Sequence, residues 1–386
     1  MKPHALAALL LCSLLPAQEK KGGKEGGIHL LRTPTGLDLM FYGHLKLDAA
    51  FDTARTNNGD TASFVRNYAD SDARDNEFNA TARHTRFGLK LSGGEWGFVE
   101  QAHGNIEVDF YDKSVFNNKF KEATMHGVRL RHAFARFTFA GGWEALAGQT
   151  WDLVGPHKMK KLNTLVGCMQ GDIPFRRAQV RVTRKFDRGR VALALTRSID
   201  NDLDGGGNED GEDSGVPDVQ VRVGLDLGAG TFGLGALYGD RRVEGVGHYH
   251  PMGVILDYEI PLIGKELSLF GELFYGEALG GYRAGIHQSF NTTTEKEVVT
   301  RGGYFNLVYK PAPKWMFVAG YGLDDPEADE LGATGKVHNS TAFANVRYTF
   351  YKRATVGFEF DRMETDYNNN PNRINYRFQL SFMWKF

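Results

Sequence analysis

The fold class this chain predicts is all-β: a transmembrane antiparallel β-barrel of about sixteen strands, with short turns at one end and long loops at the other. Three observations predict it. The last ten residues put a large apolar side chain at every second position, the chain opens on a secretory leader, and short and long connections alternate between its strand-like segments.

Taken in order, Met1-Lys2 precede a nearly unbroken apolar run from Ala5 to Leu15, followed by Leu15-Pro16-Ala17, after which cleavage is expected. That run has the length of a signal-peptide core and is too short to cross a bilayer as a helix. Residues 1–17 are read as a signal peptide, 18–36 as a short periplasmic segment and 37–386 as one barrel domain. Cys12 lies in the leader behind Leu11 rather than a small residue, so no lipoprotein anchor is expected. Removal of the leader leaves only Cys168, and one cysteine cannot form an internal disulfide. The rest of the chain has no linker, low-complexity tract or apolar stretch of transmembrane-helix length. A chain of this kind enters a membrane only as a closed barrel. A formal net charge of -1 removes any argument for nucleic acid.

Alternating segments then recur at the length a tilted membrane strand needs. The clearest are residues 41–48, 86–91, 105–110, 179–183 and 218–223, followed by 266–277, 303–310, 342–350 and 355–361. Seven short breaks containing Gly, Pro or a basic pair read as tight turns: 93–94, 141–142, 187–189, 228–230, 262–264, 311–313 and 351–353. Eight long polar stretches alternate with them: 53–79, 112–125, 153–173, 200–215, 240–249, 278–296, 324–337 and 365–372. Seven turns and eight loops join sixteen strands and put both termini on the short-turn side, the periplasmic side of such a barrel. A soluble sandwich or solenoid would share the period-two pattern but not the alternation of connection lengths. Nor would it place Trp143, Trp315, Tyr348, Phe350 and Trp384 on the apolar face near turns.

The final strand completes the series. Phe378, Leu380, Phe382, Trp384 and Phe386 share one face and Arg377, Gln379, Ser381 and Lys385 the other, as a strand between lipid and water requires. Leu380, Phe382, Trp384 and Phe386 are read as the signal through which the barrel-assembly machinery inserts the chain. A barrel this wide holds water, whereas one of about eight strands is filled by its own side chains. Function then lies in whatever narrows the lumen.

Six stretches carry a family resemblance: residues 41–52, 81–89, 104–111, 129–134, 147–151 and 176–181. Together, and in this order, they resemble the DcaP-like trimeric porins, and more distantly the chain is similar to phosphate-selective porins. The match covers the first half well and the second half only in strand pattern. The resemblance implies a homotrimer of sixteen-stranded barrels in the outer membrane of a Gram-negative bacterium, among lipid and lipopolysaccharide, passing small anions and dicarboxylates in particular. Residues 18–35 are too short and glycine-rich to form the coiled-coil extension some members carry.

Parity assigns Lys46, Arg86, Lys90, Arg177, Arg181, Arg222, Arg347 and Arg377 to the lumen. In the fourth strand the apolar parity of Val128 and Leu130 turns Arg129 and Arg131 inward but sends His132 and Arg136 outward, which points to a bulge or a misread register. The third long loop contains Lys158, Lys160 and Lys161 and leads into Arg177. Rings of Lys or Arg favour anions, and a narrow, partly desolvated passage concentrates them. The expected anion path is therefore Lys158, Lys160, Lys161, Arg177, Arg181, Arg129, Arg131, Arg86 and Lys90. Glu107, Asp109, Asp218 and Asp226 balance these cations and leave weak selectivity as the alternative.

Other patterns carry less. Asp200-Asn201-Asp202-Leu203-Asp204-Gly205 opens like a calcium loop, but Gly211 stands where its last carboxylate belongs. It reads as an acidic surface loop, with a loose divalent-ion site as the alternative. His248 and His250 read as exposed rim residues, and Cys168 lacks a base. No metal, cofactor or catalytic group is expected. The rival functions are a phospholipase-like barrel enzyme, for which His132 is the one odd histidine, and an adhesin built on loops 53–79 and 278–296.

Overall fold

Outward apolar and inward polar side chains dictate a sheet closed on itself, because only closure satisfies every backbone group in lipid. A computed structural model describes residues 27–34, 36–67, 73–112, 127–163, 166–173, 175–203, 205 and 209–386. Its large antiparallel sheet contains eighteen strands. A leading strand, Ile28–Arg32, pairs only with the start of the next strand. Glu77–Thr81 and Arg86–Gly93 both pair with that same strand and form two halves of one crossing. Sixteen crossings remain.

We number them β1 (Asp38–Asp52), β2 (Glu77–Thr81 with Arg86–Gly93), β3 (Val99–Asp112), β4 (Gly127–Phe139), β5 (Trp143–Trp151), β6 (Arg176–Phe186), β7 (Gly189–Thr196) and β8 (Asp218–Asp226). They continue as β9 (Thr231–Tyr238), β10 (Met252–Ile263), β11 (Leu267–Glu277), β12 (Val299–Ala312), β13 (Trp315–Pro326), β14 (Lys336–Tyr351), β15 (Ala354–Tyr367) and β16 (Asn370–Lys385). Every strand pairs with its sequence neighbours, and β1 meets β16 with Leu45 opposite Trp384 and Phe51 opposite Phe378. The seven turns lie within a few residues of where the sequence places them and alternate with the loops. The eighth long loop expected at 365–372 is instead a two-residue hairpin at Asn368 and Asn369, because the β15–β16 ladder continues through polar residues to Tyr367 and Asn370. The leader and most of the second loop, 112–125, lie outside the described residues.

The burial pattern inverts that of a soluble protein. Val219, Val221 and Val223 of β8 are exposed, while Gln220 and Arg222 between them are buried. The same holds for Leu307 and Asn306 of β12, and for Phe358 and Glu359 of β15. Leu380, Phe382 and Trp384 face outward, whereas Phe386 stacks on Phe41 at 5.4 Å between ring centres and exchanges backbone hydrogen bonds with Gly43. Residues 28–32, within the segment read as periplasmic, form a strand that continues the line of β16 past that point.

Two irregularities aim side chains at the lumen. In β2, residues 82–85 leave the ladder, and His84 Nδ1 comes 2.9 Å from Asp48 while Arg83 pairs with Asp60. In β4, Val108 faces Leu130 and Glu107 faces His132, so Arg131 is the extra residue of a bulge. A bulge reverses the parity of everything beyond it. His132 therefore faces inward with Arg131 and bonds Thr150 Oγ1 at 3.0 Å, correcting the outward position that simple alternation assigns it.

Candidate functional site: a loop-narrowed basic channel

The loop between β5 and β6 follows the inner wall instead of leaving the barrel. Its backbone amides donate to side chains of successive strands: Leu153 to Gln220 at 2.8 Å, His157 to Glu272 at 2.6 Å, Lys160 to Asn306 at 3.0 Å and Leu162 to Glu359 at 2.9 Å. On β1, Lys46 Nζ donates to the Leu162 carbonyl at 2.7 Å. The wall thus supplies the acceptors that a loop buried in a lumen would otherwise lack.

Close approach needs space, and glycines on the wall provide it. A Cβ on Gly322 of β13 would lie 2.1 Å from Met159 Cε, and one on Gly357 of β15 would lie 2.6 Å from a Leu162 methyl. Met159 is fully buried there, in a cluster with Phe270, Tyr304, Val308, Val318 and Phe343. Gly357→Leu should overpack this contact at a cost of roughly 1–3 kcal/mol. We expect the loop to lift and conductance to rise, with faster trypsin cleavage near Lys160. Unchanged conductance and cleavage would show that the loop is held elsewhere.

The sequence-predicted cations divide sharply when placed. Lys160 is exposed in the lumen, forms no ion pair among the described residues and has its Nζ 5.3 Å from the centre of the Phe270 ring. Desolvation in the narrowed passage, with Arg347 and Lys310 adding to it against Glu259, lowers its pKa from the ordinary lysine value. Lys158 instead pairs with Asp172 at 3.0 Å and lies over the Trp151 ring. Lys161 is 1 % exposed, 2.7 Å from Asp361 and 2.9 Å from Thr341 Oγ1. It faces the wall behind the loop.

Arg177 is also covered. It is 1 % exposed, stacks on Tyr282 at 3.9 Å and pairs with Asp152 at 3.1 Å and Asp218 at 3.6 Å. Asp218 belongs to a second buried pair with Arg241, at 2.7 Å. Burial opposes the charge of Arg241, but the hydrogen bonds and charge of Asp218, with Asp200 behind, raise its pKa above the ordinary value. Asp200 and Asp210 of the calcium-like loop are spent on protein donors: Ser289 and Arg241 for the first, Tyr249 and the Leu203 amide for the second.

Of the remaining cations, Arg86 and Arg131 come together beside the loop tip. Arg131 binds Glu107 at 2.7 Å and Asp109 at 2.8 Å, Arg129 binds Asp109 through two contacts, and Arg86 lies 3.4 Å from Glu107. Arg181 donates to the Trp151 carbonyl and to Gln179, and Lys90 lies over Tyr42. A cavity of about 250 Å³ opens here, lined by His44, Lys46, Arg86, Arg131, Lys161, Arg347 and Lys385, with no carboxylate in its lining. Arg347 and Lys385 form no ion pair among the described residues, and Arg347 reaches the carbonyl of Lys160.

Sequence reasoning noted Arg176 only as the residue before Arg177 at the end of the third loop, and missed Arg283. Arg176 neighbours Arg177 and has the opposite parity, yet its guanidinium stacks on Trp151 at 4.4 Å. Arg283 lies in a long loop where no periodicity could flag it, and that loop turns into the lumen too.

No protein-family model and no curated protein matches the chain. Solved structures do match. The outer membrane channel DcaP of Acinetobacter baumannii aligns over 92 % of this chain and 99 % of its own, with 18 % identity and a TM-score of 0.75. The anion-selective porin from Comamonas acidovorans aligns over 91 % and 100 %, with 12 % identity and a TM-score of 0.61. Salmonella typhi OmpF aligns over 92 % and 99 %, with 12 % identity and a TM-score of 0.60. The chain has the fold of the outer-membrane porins.

Proposed function

We propose that this protein is an outer-membrane diffusion channel that passes small hydrophilic solutes and favours anions, with dicarboxylates and phosphate as its natural candidates. One observation carries the reading: the cavity beside the tip of the inward loop is lined by Lys46, Arg86, Arg131, Arg347 and Lys385 and by no acid. Glu107, Asp109 and Asp48 neutralise part of this charge from behind, while Arg347, Lys385 and Lys160 form no ion pair among the described residues. Fixed cations around a narrow aqueous path raise the local anion concentration and oppose potassium.

The other parts of the reading follow. The leader directs secretion, the outward aromatic face of β16 serves the assembly machinery, and the barrel works as a homotrimer among lipid and lipopolysaccharide. Transport needs no catalysis and no cofactor.

The test is a planar bilayer holding the protein purified from outer membranes, with a KCl gradient across it. We expect conductance in steps of three and a reversal potential set mainly by chloride, with succinate or phosphate reducing the current. A potassium-dominated reversal potential would overturn the anion preference, and absence of conductance would overturn the channel.

A further inference from the structure

On the outer wall of β12 to β15 a shallow apolar groove interrupts the lipid-facing surface. Leu307, Ala319, Ala344 and Phe360 form one row across these strands, each opposite the next in the ladder. The row nearer the turns is Tyr309, Phe317, Val346 and Phe358. Two alanines stand between Leu307 and Phe360, so the floor sinks and a space of about 460 Å³ opens between bulky walls.

Its depth in the membrane follows from the aromatic residues below it. Trp315 packs on Tyr348 with 4.6 Å between ring centres and marks the level of the aromatic girdle at the turn end. Ala319 lies four residues further along β13, roughly 13 Å along the strand and about 10 Å in height at the tilt of such barrels. That is short of the midplane of an apolar band about 25 Å tall, so the groove faces the periplasmic leaflet.

Beneath the groove lie two turns whose charge sets them apart. Pro313-Lys314 joins β12 to β13 and Lys352-Arg353 joins β14 to β15, and the Thr349 amide donates to the Lys314 carbonyl at 2.9 Å, which holds the two turns side by side. Lys314, Lys352 and Arg353 are exposed and form no ion pair among the described residues. None of the other five turns has a net positive charge. Residues 94–98 contain Glu95, 187–188 set Asp187 against Arg188, 264–266 set Lys265 against Glu266, and 140–142 and 227–230 are uncharged. An apolar trough at acyl-chain depth, with uncompensated cations at headgroup depth, complements a lipid whose head is anionic. A zwitterionic head would set its own ammonium against the same cations and gain less.

We propose that this face is a binding groove for an anionic glycerophospholipid of the periplasmic leaflet, with an acyl chain over Ala319 and Ala344 and the phosphodiester held by Lys314, Lys352 and Arg353. The site needs the barrel and its orientation in the membrane but nothing of the anion preference of the lumen.

Trp315, at the lower edge of the groove, is the reporter. The protein purified from outer membranes is placed in phosphatidylcholine vesicles that contain a minor share of either phosphatidylglycerol or phosphatidylcholine with brominated chains, which quench tryptophan on contact. The difference between wild type and Trp315→Phe isolates the signal at the groove. Phosphatidylglycerol should quench that signal at least about fivefold more effectively than phosphatidylcholine, the effect of one basic residue at an anionic surface. The preference should shrink at about 1 M salt, where the Debye length is about 3 Å. Lys314→Gln, Lys352→Gln and Arg353→Gln together should remove it, whereas Ala344→Leu, which fills the floor, should weaken quenching by both lipids. Equal quenching by the two lipids in wild type would overturn the proposal, as would a preference that survives the three glutamines. A groove covered by a second copy of this chain would leave Trp315 unquenched by either lipid and would overturn it too.

Discussion

Reversing two lumen charges, Arg347→Glu together with Lys385→Glu, is expected to abolish the chloride preference and carry the reversal potential toward potassium. Both side chains line the cavity beside the tip of the β5–β6 loop, and neither forms an ion pair among the described residues, so no carboxylate is orphaned by their replacement. A permeating ion about 6 Å away feels each unit charge at roughly 1–3 kcal/mol, between the aqueous and near-surface limits of effective dielectric. Reversing two charges changes the local total by four, and about 1.4 kcal/mol already shifts a partition ratio tenfold. The chloride-to-potassium permeability ratio should therefore fall by at least about tenfold at low salt, with a smaller change at 1 M, where the Debye length shrinks to about 3 Å. A ratio within a factor of two of wild type would place the selective region elsewhere in the lumen. Substituting Arg131 would not be equivalent, because Glu107 and Asp109 would each lose a buried partner.

Strand order, turn positions and the inward faces were legible because lipid on one side and water on the other impose a strict period of two. Val219, Val221 and Val223 against Gln220 and Arg222 illustrate how little ambiguity such a segment leaves. The signal weakens where the ladder breaks. Simple alternation sent His132 outward, and the conflict with Arg129 and Arg131 was itself the trace of a bulge, which the register across from Glu107 and Val108 places at Arg131. What alternation cannot carry is whether an inward cation is open to the lumen or covered by a loop. Lys160 and Lys161 are adjacent in a loop, yet one faces the path and the other the wall, and Arg177 is enclosed while Arg176 is not. That distinction depends on contacts between residues as distant in sequence as Lys161 and Asp361. Nor could spacing reveal that residues 278–287 turn inward, since Asp324 and Arg177 hold them from far along the chain.

Because Lys161 faces the wall, Lys161→Met should act on the position of the loop rather than directly on selectivity. Lys161 and Asp361 are both fully buried, 2.7 Å apart, and Glu359 lies next along the same face of β15. Removing one partner of a buried pair costs about 3–5 kcal/mol, because the remaining charge is left without compensation. Two carboxylates would then share a region whose remaining donors to Glu359 are the Leu162 amide and Asn345, at 2.9 and 2.7 Å. The least costly response is for the loop to lift and admit water, since its contacts with the wall give way before the ladder of the barrel does. We expect higher single-channel conductance, weaker discrimination between chloride and potassium, and rapid proteolysis within 153–173, while the barrel keeps its resistance to heat and detergent. Lys161→Met combined with Asp361→Asn removes both charges and should recover much of the wild-type conductance, with a coupling of roughly 2 kcal/mol. If Lys161→Met lowered chloride selectivity without changing conductance or proteolysis, Lys161 would be a direct member of the ion path, and its enclosure behind the loop would not describe the conducting state.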